Sequence, residues 1–356
     1  MVKWFQTSLQ EKVNYKSGDI IVSVPAKSGT TWTMNIIHQI RSGGDDSFKD
    51  IYAEVPWVEF KEHPDQSDEE LIERWDQMKD LRAFKTHSFP NSKPGGFINF
   101  RKDLKYIVVF RNPEEALVSF KPFLESHSPE LFQLWNVDDV RKEICNFDNF
   151  TEFFEKCILK GFPGMPADQI PPGGLVNMFF TSFINSWWPL RNEPNVLMMH
   201  FNDMKENHDE VLRKVSEFLN IQPSESEWEQ ISKYTSFSWM KKNEEKFEMS
   251  TLLPFPVIQR GGMIRKGEKG KAYEDGMTTE ISSKIKYIID EFVEDDYAKH
   301  WIYTGGNLND VETLSANLSD VQQNSSENDI EETNYIQETY VSRIYRMLRE
   351  FISVKS

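Results

Sequence analysis

The sequence Asp19-Ile-Ile-Val-Ser-Val24 is a short apolar run that does not alternate with polar residues, and Pro25-Ala-Lys-Ser-Gly-Thr-Thr-Trp32 follows it directly. An apolar run of this kind predicts a strand that is buried on both faces of a parallel sheet. The residues after it include small and turn-forming types, and residues 32–40 then show a helical pattern. The stretch therefore predicts a strand, a loop and a helix in that order.

Three more apolar runs have the same form, at residues 81–84, 104–110 and 195–199. Helical patterns predict further helices over residues 68–79, 114–125, 147–159, 177–190, 207–219 and 280–293. Repeated strand, loop and helix order is typical of βαβ units, so we expect an α/β fold with three layers, αβα, around a central parallel sheet. Ligands of such sheets bind beyond the carboxyl ends of the strands.

The composition argues against several classes of protein. The chain has 356 residues, and 41 Lys and Arg against 57 Asp and Glu give a formal net charge of −16. This charge argues against nucleic-acid binding, because long-range attraction to phosphate is missing, but it is compatible with a small basic pocket. Two cysteines are too few for a disulfide framework or a tetrahedral zinc site, and we expect a cytoplasmic protein because no secretory signal is recognisable. Residues 169–191 carry no charge between their ends, but their prolines, glycines and polar residues argue against a membrane span.

The composition changes after Gly305 and Gly306. Residues 306–334 contain no Lys or Arg and are rich in Asn, Ser, Asp and Glu, which predicts a flexible acidic linker. Apolar residues recur at helical spacing over residues 335–354 and predict an amphipathic helix that covers its own domain or a partner. We therefore expect a single domain at residues 1–305, followed by the linker and the helix.

The loop after the first strand is the first candidate site. Gly29 allows a ligand to approach the backbone, and the hydroxyl and N–H groups at a helix start can hold an anion. Lys27 adds a positive charge. A nucleotide-triphosphatase loop places its lysine after the last glycine, whereas Lys27 comes before Ser28-Gly-Thr-Thr31. Taken alone, the segment fits either a phosphate site or a capped helix after a loop.

Basic residues follow the other strands as well. Arg111 comes directly after the run at 104–110, and Ser119 lies two turns into the helix that begins near Pro113. An arginine in this place can bind phosphate with two parallel donors, or it can pair with Glu114 or Glu115 on the surface.

Two further segments contain basic residues that could act in catalysis or in phosphate binding. His87 follows another strand, close to Lys85, and its pKa range suits a general base, although a lone histidine is usually structural or exposed. Residues 260–271 contain four glycines around Arg265 and Lys266 in an otherwise acidic chain. They predict either a flexible surface loop or an ordered clamp over a phosphate.

Together, these segments resemble motifs of the cytosolic sulfotransferase family. Lys27-Ser-Gly-Thr-Thr-Trp32 is similar to the family's 5′-phosphosulfate loop, and Arg111-Asn-Pro with Ser119 to its 3′-phosphate motif. Lys85-Thr-His87 resembles the segment with the catalytic histidine, and Arg265-Lys-Gly267 with Gly270 resembles the start of the R-K-G-x-x-G motif. Residues 203–207 and 234–237 also match family segments. The chain thus has six matching segments, and they follow one another along the sequence in the same order as in the family.

The resemblance implies a P-loop NTPase-like sulfotransferase fold. It also implies transfer of the sulfuryl group of 3′-phosphoadenosine 5′-phosphosulfate (PAPS) to a hydroxyl or amine of a small acceptor. The implied donor contacts are Lys27, Ser28, Gly29, Thr30 and Thr31 for the 5′ side, Arg111, Ser119, Arg265, Lys266 and Gly267 for the 3′-phosphate, and Trp32, Phe201, Thr235, Ser236 and Phe237 for the adenine. Phe201 stands where the family usually has tyrosine.

The implied catalytic set is His87, Lys27, Lys85 and Ser119. His87 would accept the acceptor's proton, and Lys27 would stabilise the leaving oxygen of the donor. Lys85 would support the sulfuryl group or the donor phosphate. Because two lysines are present where charge develops, we expect no metal cofactor.

The sequence also departs from the family and leaves alternatives open. The family's motif continues as G-D-W-K, where this chain has Gly270-Lys-Ala-Tyr273, and the family's dimer signature is not recognisable at residues 273–282. The oligomeric state is therefore open. The same site could sulfonate an alcohol and then lose sulfate, which is a net dehydration. A non-catalytic nucleotide-binding or assembly protein is a further alternative, and a P-loop kinase would require Mg²⁺ and a Walker-type lysine.

Overall fold

Four buried strands form the centre of the protein: β1 (Ile20–Ser23), β2 (Ala83–Thr86), β3 (Lys105–Phe110) and β4 (Val196–His200). The structure, a computed structural model, describes residues 3–79, 81–90, 98–250, 252–267, 270–306 and 308. All four strands are parallel and lie in the order β2-β1-β3-β4. Each matches a predicted apolar run, and helices flank the sheet, which confirms the predicted α/β class.

The strand order places a topological switch point at the centre of the sheet. The chain goes from β1 to β2 on one side of β1, and then returns to form β3 on the other side. The loops that follow β1 and β3 therefore diverge, and ligands of open parallel sheets bind in the crevice that such loops leave.

Helices cover this sheet, and most of the predicted ones are present. The described α-helices are α1 (Thr30–Ser42), α2 (Ile51–Glu54), α3 (Asp68–Asp76), α4 (Pro113–Glu125), α5 (Pro129–Leu134), α6 (Asp138–Ile144), α7 (Phe150–Phe153), α8 (Gly174–Val176), α9 (Ser182–Trp187), α10 (Phe201–Glu206), α11 (His208–Leu219), α12 (Glu225–Thr235), α13 (Phe237–Lys242), α14 (Thr279–Phe292) and α15 (Asp296–Thr304). Turns of 3₁₀-helix lie at Thr7–Lys12, Ala167–Gln169, Trp188–Leu190 and Glu244–Phe247, and turns of π-helix at Phe154–Ile158 and Asn177–Thr181.

Local sequence explains two of the helices that carry site residues. α4 begins at Pro113, as expected, and the Asn112 side chain accepts a hydrogen bond from the N–H of Glu114 at 2.9 Å. α1 buries Ile36, Ile37 and Ile40 against the sheet. Each such side chain contributes roughly 1.5–3 kcal/mol of hydrophobic stabilisation.

A buried ion pair closes the opposite end of the sheet. Asp19 precedes β1 and Arg82 precedes β2, and the guanidinium contacts the carboxylate through Nε at 3.0 Å and Nη2 at 2.5 Å. Only 1% of the Arg82 side chain is exposed. The Asp76 carboxylate and the main-chain oxygens of Asn14 and Trp75 accept its other hydrogen bonds, so this buried charge is fully paired.

Residues 1–305 form one compact unit. The predicted linker at 306–334 and helix at 335–354 lie outside the described residues, apart from Gly306 and Leu308, and stay predictions. Among the described helices, none has both the length and the apolar character needed to cross a bilayer. Cys145 and Cys157 are both free thiols.

Candidate active site

One cavity of about 370 Å³ lies at the carboxyl edge of the sheet and receives a residue from the end of every strand. Lys27 stands in the loop after β1, and His87 directly follows β2. Arg111 and Phe201 directly follow β3 and β4. The strands therefore bring together four residues that are separated by up to 174 positions in the sequence (201 − 27).

Most of the predicted site residues line this cavity: Lys27, Gly29, Thr30, Thr31, Trp32, Lys85, His87, Arg111, Ser119, Phe201, Phe237, Arg265, Lys266 and Gly267. Ser28, Thr235 and Ser236 do not line it. The Thr235 side chain is buried and pairs with His208 at 3.1 Å, while its main-chain oxygen accepts a hydrogen bond from Trp32 Nε1 at 2.8 Å. Thr235 thus holds the indole ring of Trp32 through this hydrogen bond and does not itself line the cavity.

The loop after β1 turns sharply so that α1 points its first turn at the cavity. Lys27 and Gly29 both have left-handed φ angles, 63° and 101°. A Cβ atom at Gly29 would lie 2.9 Å from the Phe201 ring, so only glycine fits here. Among the described residues, no side chain caps the start of α1. The N-terminus of this helix is therefore open to an anion.

A hydroxyl group in this loop supports an anion site. Ser28 Oγ and Thr30 Oγ1 are buried and have no hydrogen-bond partner in the described part of the chain. Buried polar atoms in proteins are almost always paired, and an unpaired one is destabilising. Thr30 lines the cavity, so a phosphate or sulfate oxygen there would accept a hydrogen bond from its hydroxyl, whereas Ser28 is fully buried and does not line the cavity.

Lys27 is held in an environment that favours an anion. Its ammonium lies 4.1 Å from the centre of the Phe123 ring. Burial, together with the positive charges of Arg111 and Arg265, lowers the pKa of Lys27 to about 7. A negatively charged ligand would relieve this repulsion and restore the charged form.

Lys85 enters the cavity against an aromatic ring. Its ammonium lies 3.1 Å from the centre of the Trp57 ring, which is a cation–π contact. The side chain is buried, and this burial lowers the pKa of Lys85 well below its usual value, although the charge of Glu59 acts in the opposite direction. Trp57 was not among the predicted site residues.

His87 has one ring nitrogen fixed and the other available. Its Nδ1 lies 2.7 Å from the main-chain oxygen of Val24, and because a carbonyl can only accept, Nδ1 carries the proton. Nε2 is therefore the unprotonated nitrogen of a neutral ring. Burial and the positive charges of Lys85 and Lys27 hold the pKa of His87 well below its ordinary value, against the effect of the Val24 contact. His87 is thus a neutral base at pH 7.

A buried carboxylate that the sequence analysis did not identify holds the segment around His87. Glu59 is completely buried and accepts hydrogen bonds from Ser88 Oγ at 2.6 Å, Trp57 Nε1 at 2.5 Å and the N–H of His87 at 3.2 Å. The Thr86 hydroxyl also donates to it. A charged residue in an apolar stretch, Trp57-Val-Glu-Phe60, was the sequence signal for such a role.

A cluster of three cations and two carboxylates forms another part of the wall. Arg111 Nε lies 3.2 Å from Glu115, so the expected pairing with a nearby glutamate is present, but Arg111 also faces the cavity. Arg265 Nη2 and Lys266 Nζ both donate to Asp275, at 2.9 and 2.5 Å. Burial would raise the pKa of Asp275, but the hydrogen bonds from Lys266 and Arg265 outweigh it and lower the pKa.

Aromatic rings surround the space next to these cations. The Trp32 and Phe201 rings meet edge to face with 5.7 Å between centres, and the Arg111 guanidinium lies 4.5 Å above Phe201. Gly267 has a φ of 62°, and a Cβ atom on it would lie 2.3 Å from the Phe237 ring. Gly267, in the segment for which a clamp was predicted, therefore lies directly against an aromatic ring that lines the same cavity.

Much of the remaining wall is apolar, and it also contains a second histidine, His127. Trp4 and Phe5 of the N-terminal segment line it, and the segment is tied to its neighbours by hydrogen bonds from the N–H of Gln6 to Glu59 O and from the N–H of Lys61 to Trp4 O. Further lining residues include Phe60, Phe120, Phe162, Phe179 and Met249. Burial lowers the pKa of His127 to about 4, so this ring is neutral as well.

Comparison with known proteins agrees with this arrangement. The sequence pattern of the sulfotransferase domain matches residues 17–297. The chain belongs to the sulfotransferase family. Human sulfotransferase 1E1 is 27% identical to it over 282 residues, which are 77% of this chain and 83% of that protein. Luciferin sulfotransferase of Photinus pyralis is 27% identical over 292 residues, which are 76% of this chain and 70% of that protein.

Solved sulfotransferase structures share the fold. Mouse sulfotransferase SULT7A1 complexed with PAP aligns with a TM-score of 0.57 and 21% identity, covering 84% of this chain and 92% of that chain. Retinol dehydratase in a complex with retinol and PAP aligns with a TM-score of 0.57 and 17% identity, covering 81% and 84%. The predicted sulfotransferase fold is therefore confirmed.

Proposed function

We propose that this sulfotransferase transfers the sulfuryl group of PAPS to a hydroxyl group of a small, largely apolar acceptor. The main support is that Lys27, His87, Arg111 and Phe201, one from the end of each strand, line one cavity. This arrangement combines anion binding, a neutral base and an aromatic surface within one space, as group transfer from a nucleotide requires.

On the donor side, the residues fit a nucleotide with two charged ends. Thr30 and Lys27 suit the 5′-phosphosulfate, because both line the cavity and neither the Thr30 hydroxyl nor the Lys27 ammonium has a hydrogen bond or ion pair among the described residues. Arg111, Ser119, Arg265, Lys266 and Gly267 would hold the 3′-phosphate. Trp32, Phe201 and Phe237 offer ring surfaces for the adenine. Thr235 and Ser236 do not line the cavity, and Thr235 supports this part of the site through its hydrogen bond with Trp32.

For catalysis, the bound donor supplies the sulfuryl group, and the chain supplies a base and two cations. His87 Nε2 would take the proton of the acceptor hydroxyl, while its Nδ1 stays bonded to Val24. Lys27 would stabilise the negative charge on the oxygen that leaves. Lys85, held by Trp57, would stabilise charge on the transferred group.

The acceptor is expected to be an alcohol or phenol rather than an amine. Lys27 and Lys85 place two ammonium groups near His87, and both lower its pKa. The same positive field would repel a protonated amine, whereas a neutral hydroxyl enters without this penalty. The aromatic wall around Phe60, Phe120 and Phe179 favours an apolar body.

A sulfonation-coupled dehydratase is the second candidate. Retinol dehydratase shares the fold, and the large apolar wall would suit an alcohol with an extended apolar chain. The two reactions differ in their product, because one retains the sulfuryl group and the other has lost water. Mass spectrometry of the product distinguishes them.

The deciding experiment incubates the full chain with sulfur-labelled PAPS and a panel of apolar alcohols, phenols and amines, with and without EDTA. We expect label transfer to a hydroxyl compound that EDTA does not affect. The described residues contain no group of three His, Cys, Asp or Glu side chains that could hold a metal. Transfer that requires Mg²⁺ would contradict the proposed mechanism. Nucleotide binding without transfer to any acceptor would support the non-catalytic alternative.

A further inference from the structure

Asp275 occupies an unusual place in the cavity wall. Both hydrogen bonds described for its carboxylate come from cations that face the cavity, Arg265 Nη2 at 2.9 Å and Lys266 Nζ at 2.5 Å. Asp275 itself lines the cavity, and 13% of its side chain is exposed. Asp275 therefore stands between these two cations and reaches the space that a ligand would occupy.

The second carboxylate of the cluster is held differently. Glu115 accepts hydrogen bonds from Arg111 Nε and from the main-chain N–H of Gly270. It lies on α4 and links that helix to the backbone of Gly270, whereas both described partners of Asp275 are cationic side chains. Asp275 lies beyond residues 265–270, the part of the clamp that resembles the family motif.

One cation of this cluster keeps an unused donor. Arg265 Nε is buried and has no hydrogen-bond partner among the described residues, even though Nη2 of the same guanidinium donates to Asp275. A guanidinium offers its donors as a planar fork that fits two oxygens of one anion. Arg265 therefore keeps one buried donor, Nε, for a second anion, while Asp275 accepts a hydrogen bond from the Nη2 atom of the same guanidinium.

We infer that Asp275 competes with the 3′-phosphate of a bound nucleotide for Arg265 and Lys266, and so determines how tightly 3′-phosphorylated nucleotides are held. The inference rests on the proposed function, because it takes the cluster as the 3′-phosphate site. A phosphate that binds these two cations comes close to the Asp275 carboxylate in a half-buried site, where like charges repel strongly. The competition weakens binding and speeds dissociation of every nucleotide that carries this group, donor and product alike.

Titration calorimetry of the full chain with two nucleotides tests the inference. For Asp275→Asn we expect adenosine 3′,5′-bisphosphate to bind about tenfold more tightly than to the parent protein, because a repulsive charge is gone. Adenosine 5′-monophosphate lacks the 3′-phosphate, and its affinity should change by less than about twofold. Asp275→Ala, which also removes the hydrogen-bonding oxygens, should show the same selectivity.

Glu280→Gln is the matched control. Glu280 is exposed on α14 and pairs with Lys284 away from the cavity, so this substitution removes the same charge without touching the cluster. It should leave both affinities unchanged. Thermal unfolding of all variants verifies that they are folded.

The outcomes separate this inference from the proposed function. A parent protein that binds both nucleotides equally would contradict the proposed donor. If the parent prefers the bisphosphate and neither Asp275 variant binds it more tightly, the competition does not exist. Equal tightening for both nucleotides would also overturn the inference, because it would show a general charge effect.

Discussion

The Nδ1 atom of His87 lies 2.7 Å from the main-chain oxygen of Val24. This contact joins the loop after β2 to the end of the neighbouring strand β1, from which the anion-binding loop continues to Lys27. It therefore fixes two things at once: the proton stays on Nδ1, and Nε2 is positioned relative to the cation that would stabilise the leaving group.

Replacement of His87 by alanine should abolish most of the transfer without weakening nucleotide binding. A positioned base contributes typically about 10²–10⁴-fold to the rate. We expect kcat of His87→Ala to fall by that range, with an unchanged Kd for adenosine 3′,5′-bisphosphate. His127→Ala is the matched control, because His127 is a neutral ring in the same cavity. An equal loss of kcat in both variants would show that the base has been assigned wrongly.

Nucleotide affinity should fall as the pH rises above about 7. The pKa of Lys27 in the free protein is about 7, and an anion binds the charged form, so binding at pH 8 must take up a proton. The 3′- and 5′-phosphates, with second pKa values near 6, take up almost none at this pH. Calorimetry in two buffers of different ionisation enthalpy measures the uptake. We expect uptake at pH 8, less at pH 6, and none from this source in Lys27→Met. A parent protein that binds without proton uptake at pH 8 would contradict the assignment.

Gly267→Ala should lower the affinity for adenosine 3′,5′-bisphosphate. The new Cβ atom would lie 2.3 Å from the Phe237 ring, so the clamp or the ring must move. Overpacking of this kind costs about 1–3 kcal/mol, which corresponds to roughly a five- to 150-fold loss if it acts on the bound state.

Gly261→Ala provides the comparison for this loop. Gly261 also has a left-handed φ, 84°, but a Cβ atom there meets nothing within 4 Å. Both variants share the backbone strain, and they differ in the clash with Phe237. If Gly261→Ala loses as much affinity as Gly267→Ala, then backbone strain and not the packing on Phe237 is responsible.

Arg82→Ala should destabilise the fold by about 3–5 kcal/mol, because it leaves the buried Asp19 carboxylate without its partner. Urea unfolding at pH 7 measures the loss. Arg101→Ala is the control, since Arg101 and Asp103 form an exposed pair, and such pairs contribute at most about 1 kcal/mol. Similar losses in the two variants would mean that burial of the Asp19 pair has little effect on stability.

The sequence predicted the sheet and the strand-end residues for a physical reason. Strands buried on both faces are mostly apolar, although β2 ends in the buried Lys85 and Thr86. A polar residue that directly follows such a strand, such as Arg111 or His87, lies at the ligand edge. These features are local and can be read from consecutive residues. The strand order β2-β1-β3-β4 was not predicted, and it shows that the loops with Lys27 and Arg111 flank the switch point.

The supporting residues could not be predicted in the same way. Glu59 contacts the His87 segment across 28 positions of sequence, and Trp57 contacts Lys85 in the same region, so no spacing rule connects them. The sequence analysis also did not predict α12, although Ser224 and Glu227 form a capping box that marks its start. Asp275 lies outside any motif, and its pairing with Arg265 becomes visible only when the clamp is folded.

Glu59 also links the His87 segment to the apolar part of the cavity wall, since its main-chain oxygen accepts the N–H of Gln6 next to Trp4 and Phe5. The hydrogen bonds that attach this segment involve backbone atoms, which every amino acid supplies except proline at a donor position. These hydrogen bonds remain possible when the side chains at positions 4 and 5 are exchanged, but Trp4 also packs against Phe132 and Trp135, and Phe5 against Trp57. A combinatorial library at these two positions, screened first for folding and nucleotide binding, would therefore be a starting point for retargeting the enzyme to new compounds.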